Sequence, residues 1–200
     1  MILFNEEAHT YTVNGVEFKS VTTILSAVGV TYYFESQATE IAMIRGSFVH
    51  EAIKLFNDGT LDESTLDPVI EPYFQAYKKF MHLTGFKTES WEIVSANTEL
   101  GYAGTYDVIG ILNNKRVLID FKTGVINKVS CRLQTAAYAH LDGVGKLAAR
   151  YSLQLKENMD FRLSKPYTNL REDYTKFKAC KMVYDLQEAR IKNNKIERVR

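Results

Sequence analysis

The chain has 200 residues, with 25 Lys and Arg against 24 Asp and Glu, giving a formal net charge of +1 with His neutral. Its 46% apolar and 24% charged residues exclude collagen-like, coiled-coil and wholly disordered classes. The length suits one domain with a sizeable core.

The first nineteen residues alternate apolar and polar around Asn14-Gly15, a strong short-range hairpin signal. Ser20 then caps a short helix over VTTILSAV, stopped by Gly29. A long helix is predicted from about Glu35 to Asn57, with Ile41, Ile44, Phe48, Ala52 and Leu55 as its apolar face. A second runs from about Asp67 to Leu83, with Tyr73, Tyr77 and Phe80 on one side. From Trp91 the period changes to two. WEIVSANTEL, YAGTYDVIGIL and KRVLIDFKT read as three strands, with turns at Leu100-Gly101 and Asn113-Asn114. A helix over about Ser130 to His140, a hairpin of AARYSLQLK and DFRLS across Glu157-Asn158, and a charged helix from about Arg171 to Asn193 complete the chain. The order predicts a single α/β (α+β) core with no repeat or linker.

The segment VLIDFKTG (117–124) places Asp120 and Lys122 on one face of a strand and Ile119 and Phe121 on the other. A surface ion pair at a strand end is the plain reading of Asp-x-Lys alone. Thirteen residues earlier, however, GTYD (104–107) sets Asp107 in an otherwise apolar strand. Hairpin pairing carries Asp107 near Asp120, and two close carboxylates repel unless a cation lies between them. Oxygen ligands of this kind suit Mg²⁺ or Mn²⁺. Upstream, Gly46 lies inside a helical pattern, where it costs about 1 kcal/mol relative to Ala and calls for a reason such as close approach of another backbone. His50 follows four residues later. Downstream, Gln134 and Tyr138 share one helix face.

Taken in order, GSFVH (46–50), GTYD (104–107), IDFKTG (119–124) and QTAAY (134–138) resemble the RecB-like branch of the PD-(D/E)xK nuclease superfamily. The N-terminal HTYTVNGVEFKSVTTIL is similar to the opening of phage-encoded members. The resemblance implies a restriction-endonuclease-like core, a central mixed sheet flanked by helices. It implies His50, Asp107 and Asp120 as metal ligands, with the Phe121 backbone carbonyl as a fourth and Glu92 as a further candidate that equally fits ordinary strand alternation. Lys122 would position or deprotonate the attacking water and steady developing charge. Gln134 and Tyr138 would line the site and touch DNA or Lys122, and Arg45, Lys128 and Arg132 would flank it. On this basis residues 1–200 form one nuclease domain: an N-terminal hairpin and short helix (1–30), a catalytic core (31–142) and a basic C-terminal hairpin and helix (143–200).

The expected function is a Mg²⁺- or Mn²⁺-dependent deoxyribonuclease, an exonuclease of DNA recombination, repair or replication. The alternative is a non-catalytic DNA-end-binding accessory protein on the same fold. Cys131 and Cys180 are too few for the iron–sulfur cluster that several RecB-like members carry. No apolar run reaches the roughly 20 residues of a membrane helix, and MILFNEEAHTYT has an acidic pair where an export signal needs Lys or Arg. No membrane partner and a cytoplasmic location (the host's, if phage-encoded) are therefore expected. Charge is uneven: residues 1–142 carry 11 basic and 17 acidic residues, a net of −6, and residues 143–200 carry 14 and 7, a net of +7. Lys165, Arg171, Lys176, Lys178 and Lys181, interleaved with Tyr167, Tyr174 and Phe177, are the expected phosphate and base contacts of the C-terminal third. With so short a chain, targeting is expected to come from a recombination or replication partner or from homo-oligomerisation.

Overall fold

Turn chemistry sets the strand order. The computed structural model describes residues 1–5, 10–31 and 36–197. Asn14 and Gly15 both take positive φ (50° and 83°), as a two-residue hairpin turn requires. They join β2 (Thr10–Val13) to β3 (Val16–Ser20), and β1 (Ile2–Asn5) pairs antiparallel with β2. The Ser20 hydroxyl accepts the Thr23 N–H at 2.9 Å and starts α1 (Val21–Ala27). Ser36 caps α2 (Gln37–Asn57) in the same way; Glu35, where this helix was expected to begin, lies outside the described residues. Asp67 accepts the Val69 N–H in a tight turn, which delays α3 (Glu71–Thr84) by one turn relative to expectation.

The three strands of the predicted meander are β4 (Lys87–Asn97), β5 (Tyr102–Leu112) and β6 (Lys115–Lys122). Asn113 and Asn114 both sit at positive φ in the turn between β5 and β6, where the short Asn side chain tolerates the left-handed region. A parallel strand needs a crossover, and α4 (Lys128–Tyr138) supplies it: β7 (Ala149–Leu155) runs parallel to β6, with Asp120 opposite Ser152. β8 (Phe161–Leu163) folds back on β7, and α5 (Leu170–Glu197) closes the chain. The result is an α/β fold, a central mixed sheet flanked by helices. Among the described residues no helix is long and apolar enough to cross a membrane.

Among the described residues two large cores form, one on each face of the sheet, and a small third one joins Tyr11 and Val13 of the N-terminal hairpin to Ala96 and Ala103. Val49, Ala52 and Ile53 of α2 and Tyr73, Phe74, Tyr77 and Phe80 of α3 pack with Val108, Ile119, Phe121 and Leu153. On the other face α1, α4 and α5 pack over Tyr102, Ile109 and Leu118. Strand alternation and the α3 face follow the sequence pattern. The α2 face does not: Ile41, Ile44 and Phe48 are 56%, 51% and 60% exposed. The physical reason is that buried Val49, Ala52 and Ile53 lie in the C-terminal half of α2, the half that packs. Helical spacing runs through the exposed apolar residues of the first half, and of the expected stripe Ala52 is buried while Val49 and Ile53 beside it lie outside that stripe.

A buried ion network ties α5 to the sheet. Arg150 on β7 is 1% exposed; it donates to the Arg132 carbonyl at 2.8 Å and to Asp173 of α5 at 2.7 Å. Asp173 also holds Arg132 at 2.6 Å. Aromatic residues expected to stack bases serve the interior instead. Phe177 and Tyr167 are buried, and Tyr174 stacks on His140 with ring centroids 3.4 Å apart. Of the basic residues proposed beside them, Lys176 pairs with Glu172 and Lys181 with Asp185.

Candidate metal centre in a gap of the central sheet

β5 has one edge paired along most of its length and one edge broken. β4 lines one side from Lys87 opposite Ile111 to Asn97 opposite Tyr102. On the other side β3 pairs only with Tyr102 and Ala103, and β6 only with Val108 to Leu112. The four residues between, Gly104-Thr105-Tyr106-Asp107, thus face a gap where two strands share an edge without meeting. That segment is the GTYD motif, and its unpaired edge is where the candidate site residues gather.

Asp107 fills part of the gap. Its Oδ2 accepts the Phe121 N–H at 2.5 Å, in place of a strand partner beyond the last ladder pair, Val108 opposite Ile119. Its Oδ1 lies 3.5 Å from Nδ1 of His50, carried on α2. Glu92 of β4, across the strand from Asp107, holds φ at +48°, a conformation that costs a Glu on the order of 1–3 kcal/mol. Its Oε1 lies 3.2 Å from the same His50 nitrogen. One ligand atom from each of His50, Glu92 and Asp107 can be chosen so that all lie within 4.8 Å of one another. The left-handed backbone of Glu92 turns its carboxylate toward His50.

Electrostatics bear this out. Burial opposes charging of His50, but the Asp107 and Glu92 carboxylates outweigh it and hold the imidazolium up to about 9. Burial raises Asp107 above the usual carboxylate range, against the pull of His50. The protonated His50 is the positive charge that faces both carboxylates.

Beside the cluster lies a polar chain. Asp120 is 1% exposed, and neither of its oxygens meets a donor in hydrogen-bond geometry; Oδ2 has only the ion pair to Lys122 at 2.8 Å. Desolvation, countered in part by Lys122 and reinforced by Asp107, pushes the Asp120 carboxyl up to about 6. Burial disfavours the Lys122 ammonium, yet Asp120 and Asp107 together raise its pKa. In this state Lys122 is a cation and not a proton acceptor. Its Nζ donates to Gln134 Oε1 at 3.2 Å, and Gln134 Nε2 donates to Tyr138 Oη at 3.1 Å. The four-residue spacing of Gln134 and Tyr138 on α4 puts both on the face toward β6. Gly104 completes the packing: a Cβ there would lie 2.7 Å from Cε1 of Tyr138, so only a glycine lets the Tyr138 ring lie on β5. The N-terminal hairpin reaches the same gap, where the Tyr11 hydroxyl bonds Thr105 Oγ1 at 3.0 Å.

The structure thus brings His50, Glu92 and Asp107 into one cluster and Asp120, Lys122, Gln134 and Tyr138 into an adjacent chain. Phe121 enters through its N–H, and its ring packs against Tyr77. Other candidates go elsewhere. Arg45 lays its guanidinium over the Tyr73 ring at 5.0 Å, on α3 and away from the cluster, because a five-residue offset on α2 turns it off the His50 face. Arg132 is held by Asp173, and exposed Lys128 opens α4. Gly46 meets no close backbone: the nearest atom to a Cβ there is Thr123 Oγ1, at an ordinary 3.5 Å. Glu92 is expected either as an added carboxylate ligand or as an ordinary strand residue; its positive φ, invisible in the pattern, sets it apart from its strand neighbours.

The donor set fits a divalent cation. It offers one imidazole nitrogen and two carboxylates, a mixture suited to Mn²⁺ and, through the oxygens, to Mg²⁺. The orphaned oxygens of buried Asp120 stand next to it. Since a metal must displace the His50 proton, Mn²⁺ affinity is expected to rise by up to about tenfold per pH unit from 6 toward 9. Below about 6, protonation of Asp120 weakens it further. Titration calorimetry at pH 6.5, 7.5 and 8.5 reads both the affinity and the proton released; pH-independent affinity contradicts this account.

No protein-family model matches the chain, and no curated protein matches it in sequence.

Proposed function

We propose that the chain is a divalent-metal-dependent DNA nuclease with a restriction-endonuclease-like core, of the RecB-like branch of the PD-(D/E)xK superfamily. The observation that carries this reading is the meeting of His50, Glu92 and Asp107 in the β5 gap, with Asp120 and Lys122 on the neighbouring strand. His50, Glu92 and Asp107 would hold Mg²⁺ or Mn²⁺, with Asp120 and the Phe121 carbonyl completing the shell. The bound ion would polarise a phosphoryl oxygen and lower the pKa of a water molecule.

The chain's own residues supply the rest. Asp107 divides its two oxygens: Oδ2 is fixed by the Phe121 N–H, which leaves Oδ1 turned to His50. Lys122 has three N–H donors. Gln134 accepts from one of them, Asp120 holds the ammonium as an ion pair, and a donor would remain for a phosphate oxygen. A fixed cation of this kind stabilises charge that develops in the transition state, at no reorganisation cost. Tyr138, kept neutral by burial, orients Gln134 and through it Lys122.

The test is digestion of end-labelled linear and circular DNA, single- and double-stranded, in Mg²⁺ and in Mn²⁺. Linear DNA is expected to shorten from its ends, circular DNA to persist, and EDTA to stop the reaction. Intact linear DNA under both metals rejects the reading. Binding to DNA ends without cutting favours the non-catalytic alternative.

A further inference from the structure

A cleft of about 730 Å³ opens next to the site, between the start of α4 and the segment 162–169 that follows β7 and β8. Lys128 and Arg132 form one wall, Arg162 and Lys165 the other, with Gln154 and Asn169 between them. No carboxylate lines it. Among the described residues, Lys128, Arg162 and Lys165 have no acidic partner in ion-pair range, whereas Arg132 is paired with Asp173, and Lys176 and Lys181 on α5 with Glu172 and Asp185. Gln154 links the cleft to the strand that carries Asp120 and Lys122. Gln154 sits opposite Lys122 in the β6–β7 ladder, and its Nε2 donates to the Gly124 carbonyl at 2.9 Å. α4 adds its positive end, since the cleft meets the helix at its first residues.

We propose that this cleft holds the phosphate backbone of a single strand of DNA. The proposal rests on the nuclease reading and deepens it by naming the strand state of the substrate. Positive charge on two facing walls clasps one backbone from both sides. The volume is that of a small-molecule site, and roughly one or two nucleotides of a single strand fill it. The lining aromatic, Tyr167, is buried and bonds Ser152 through its hydroxyl, so recognition runs through phosphates rather than base stacking. The positive charge of the C-terminal third thus acts at the segment 162–169 more than along α5.

The experiment is fluorescence anisotropy of a labelled single-stranded oligothymidylate with the intact protein in EDTA, across a salt series. EDTA removes cleavage, so this readout stands or falls apart from the nuclease reading. The Arg162→Ala/Lys165→Ala double variant is expected to bind about tenfold more weakly near 0.1 M salt, with the salt slope shallower by about 1.4. A second double variant, Lys87→Ala/Lys115→Ala, removes the same charge from exposed positions outside the cleft and is expected to change affinity less than twofold. Unchanged binding by the first variant, or equal weakening by both, overturns the proposal. Blunt duplex bound as tightly as the single strand overturns the assignment of strand state. A chain that passes these tests yet cuts nothing in Mg²⁺ or Mn²⁺ supports the cleft and rejects the nuclease.

Discussion

Lys122→Ala and Asp120→Asn are each expected to lower metal-dependent DNA cleavage by at least about 10²- to 10³-fold, the loss typical of one preorganised charge in a transition-state site. The two variants act differently. Removing Lys122 takes a cation from beside Asp120, Asp107 and His50, so Mn²⁺ affinity is expected to hold or increase while turnover collapses. Asp120→Asn keeps the side chain's shape but removes a buried charge that would also complete the metal shell, so Mn²⁺ affinity is expected to fall together with turnover, and Lys122 loses the partner 2.8 Å away that fixes it. The contrast comes from His50→Ala or Asp107→Ala, which strip ligands and are expected to weaken Mn²⁺ binding itself. Single-turnover cleavage at saturating metal, with calorimetric metal affinity measured in parallel, separates a positioning cation from a ligand. Full activity in Lys122→Ala or Asp120→Asn protein refutes the site. Equal loss of metal binding in all four variants shows that Lys122 acts through folding and not on the phosphate.

Much of this arrangement was legible in the sequence because it is local. Strand alternation puts Asp120 opposite in face to Phe121, helix periodicity aligns Gln134 with Tyr138, and Asn113-Asn114 fixes the hairpin that brings Asp107 toward Asp120. What was not legible is set by non-local geometry. The gap at Gly104 to Asp107 exists only because β3 and β6 meet the same edge of β5 at opposite ends. Nothing in either segment encodes that. Glu92 enters the cluster through a left-handed backbone, which a pattern of alternating residues cannot display. The exposed stripe of α2 misled for the opposite reason, since helical spacing reports an apolar face without saying that anything covers it. Arg150 is the clearest omission: an arginine in AARYSLQLK reads as a solvent-facing residue, and it is buried with Asp173 twenty-three positions away.

That pair carries the largest expected effect on stability. Asp173→Ala leaves the Arg150 guanidinium buried and uncompensated, which is expected to cost about 3–5 kcal/mol. This is a large part of the roughly 5–15 kcal/mol by which domains are stable, and lowers the melting temperature by about 10 °C or more for a chain of this size. Replacing both partners with apolar side chains, Arg150→Met with Asp173→Leu, is expected to be near neutral, because the penalty comes from the orphaned charge and not from the loss of attraction. Urea denaturation of the single and double variants reads the difference. The consequence reaches the site, since Arg150 also holds the Arg132 carbonyl of α4, and β7 keeps Asp120 in register opposite Ser152. Loosening α5 therefore loosens the helix that orients Lys122 through Gln134, so cleavage by Asp173→Ala protein is expected to fall more steeply with temperature than unfolding alone accounts for. If Asp173→Ala costs less than about 1 kcal/mol, water reaches Arg150, and α5 is held by the apolar contacts of Phe177 rather than by the ion network.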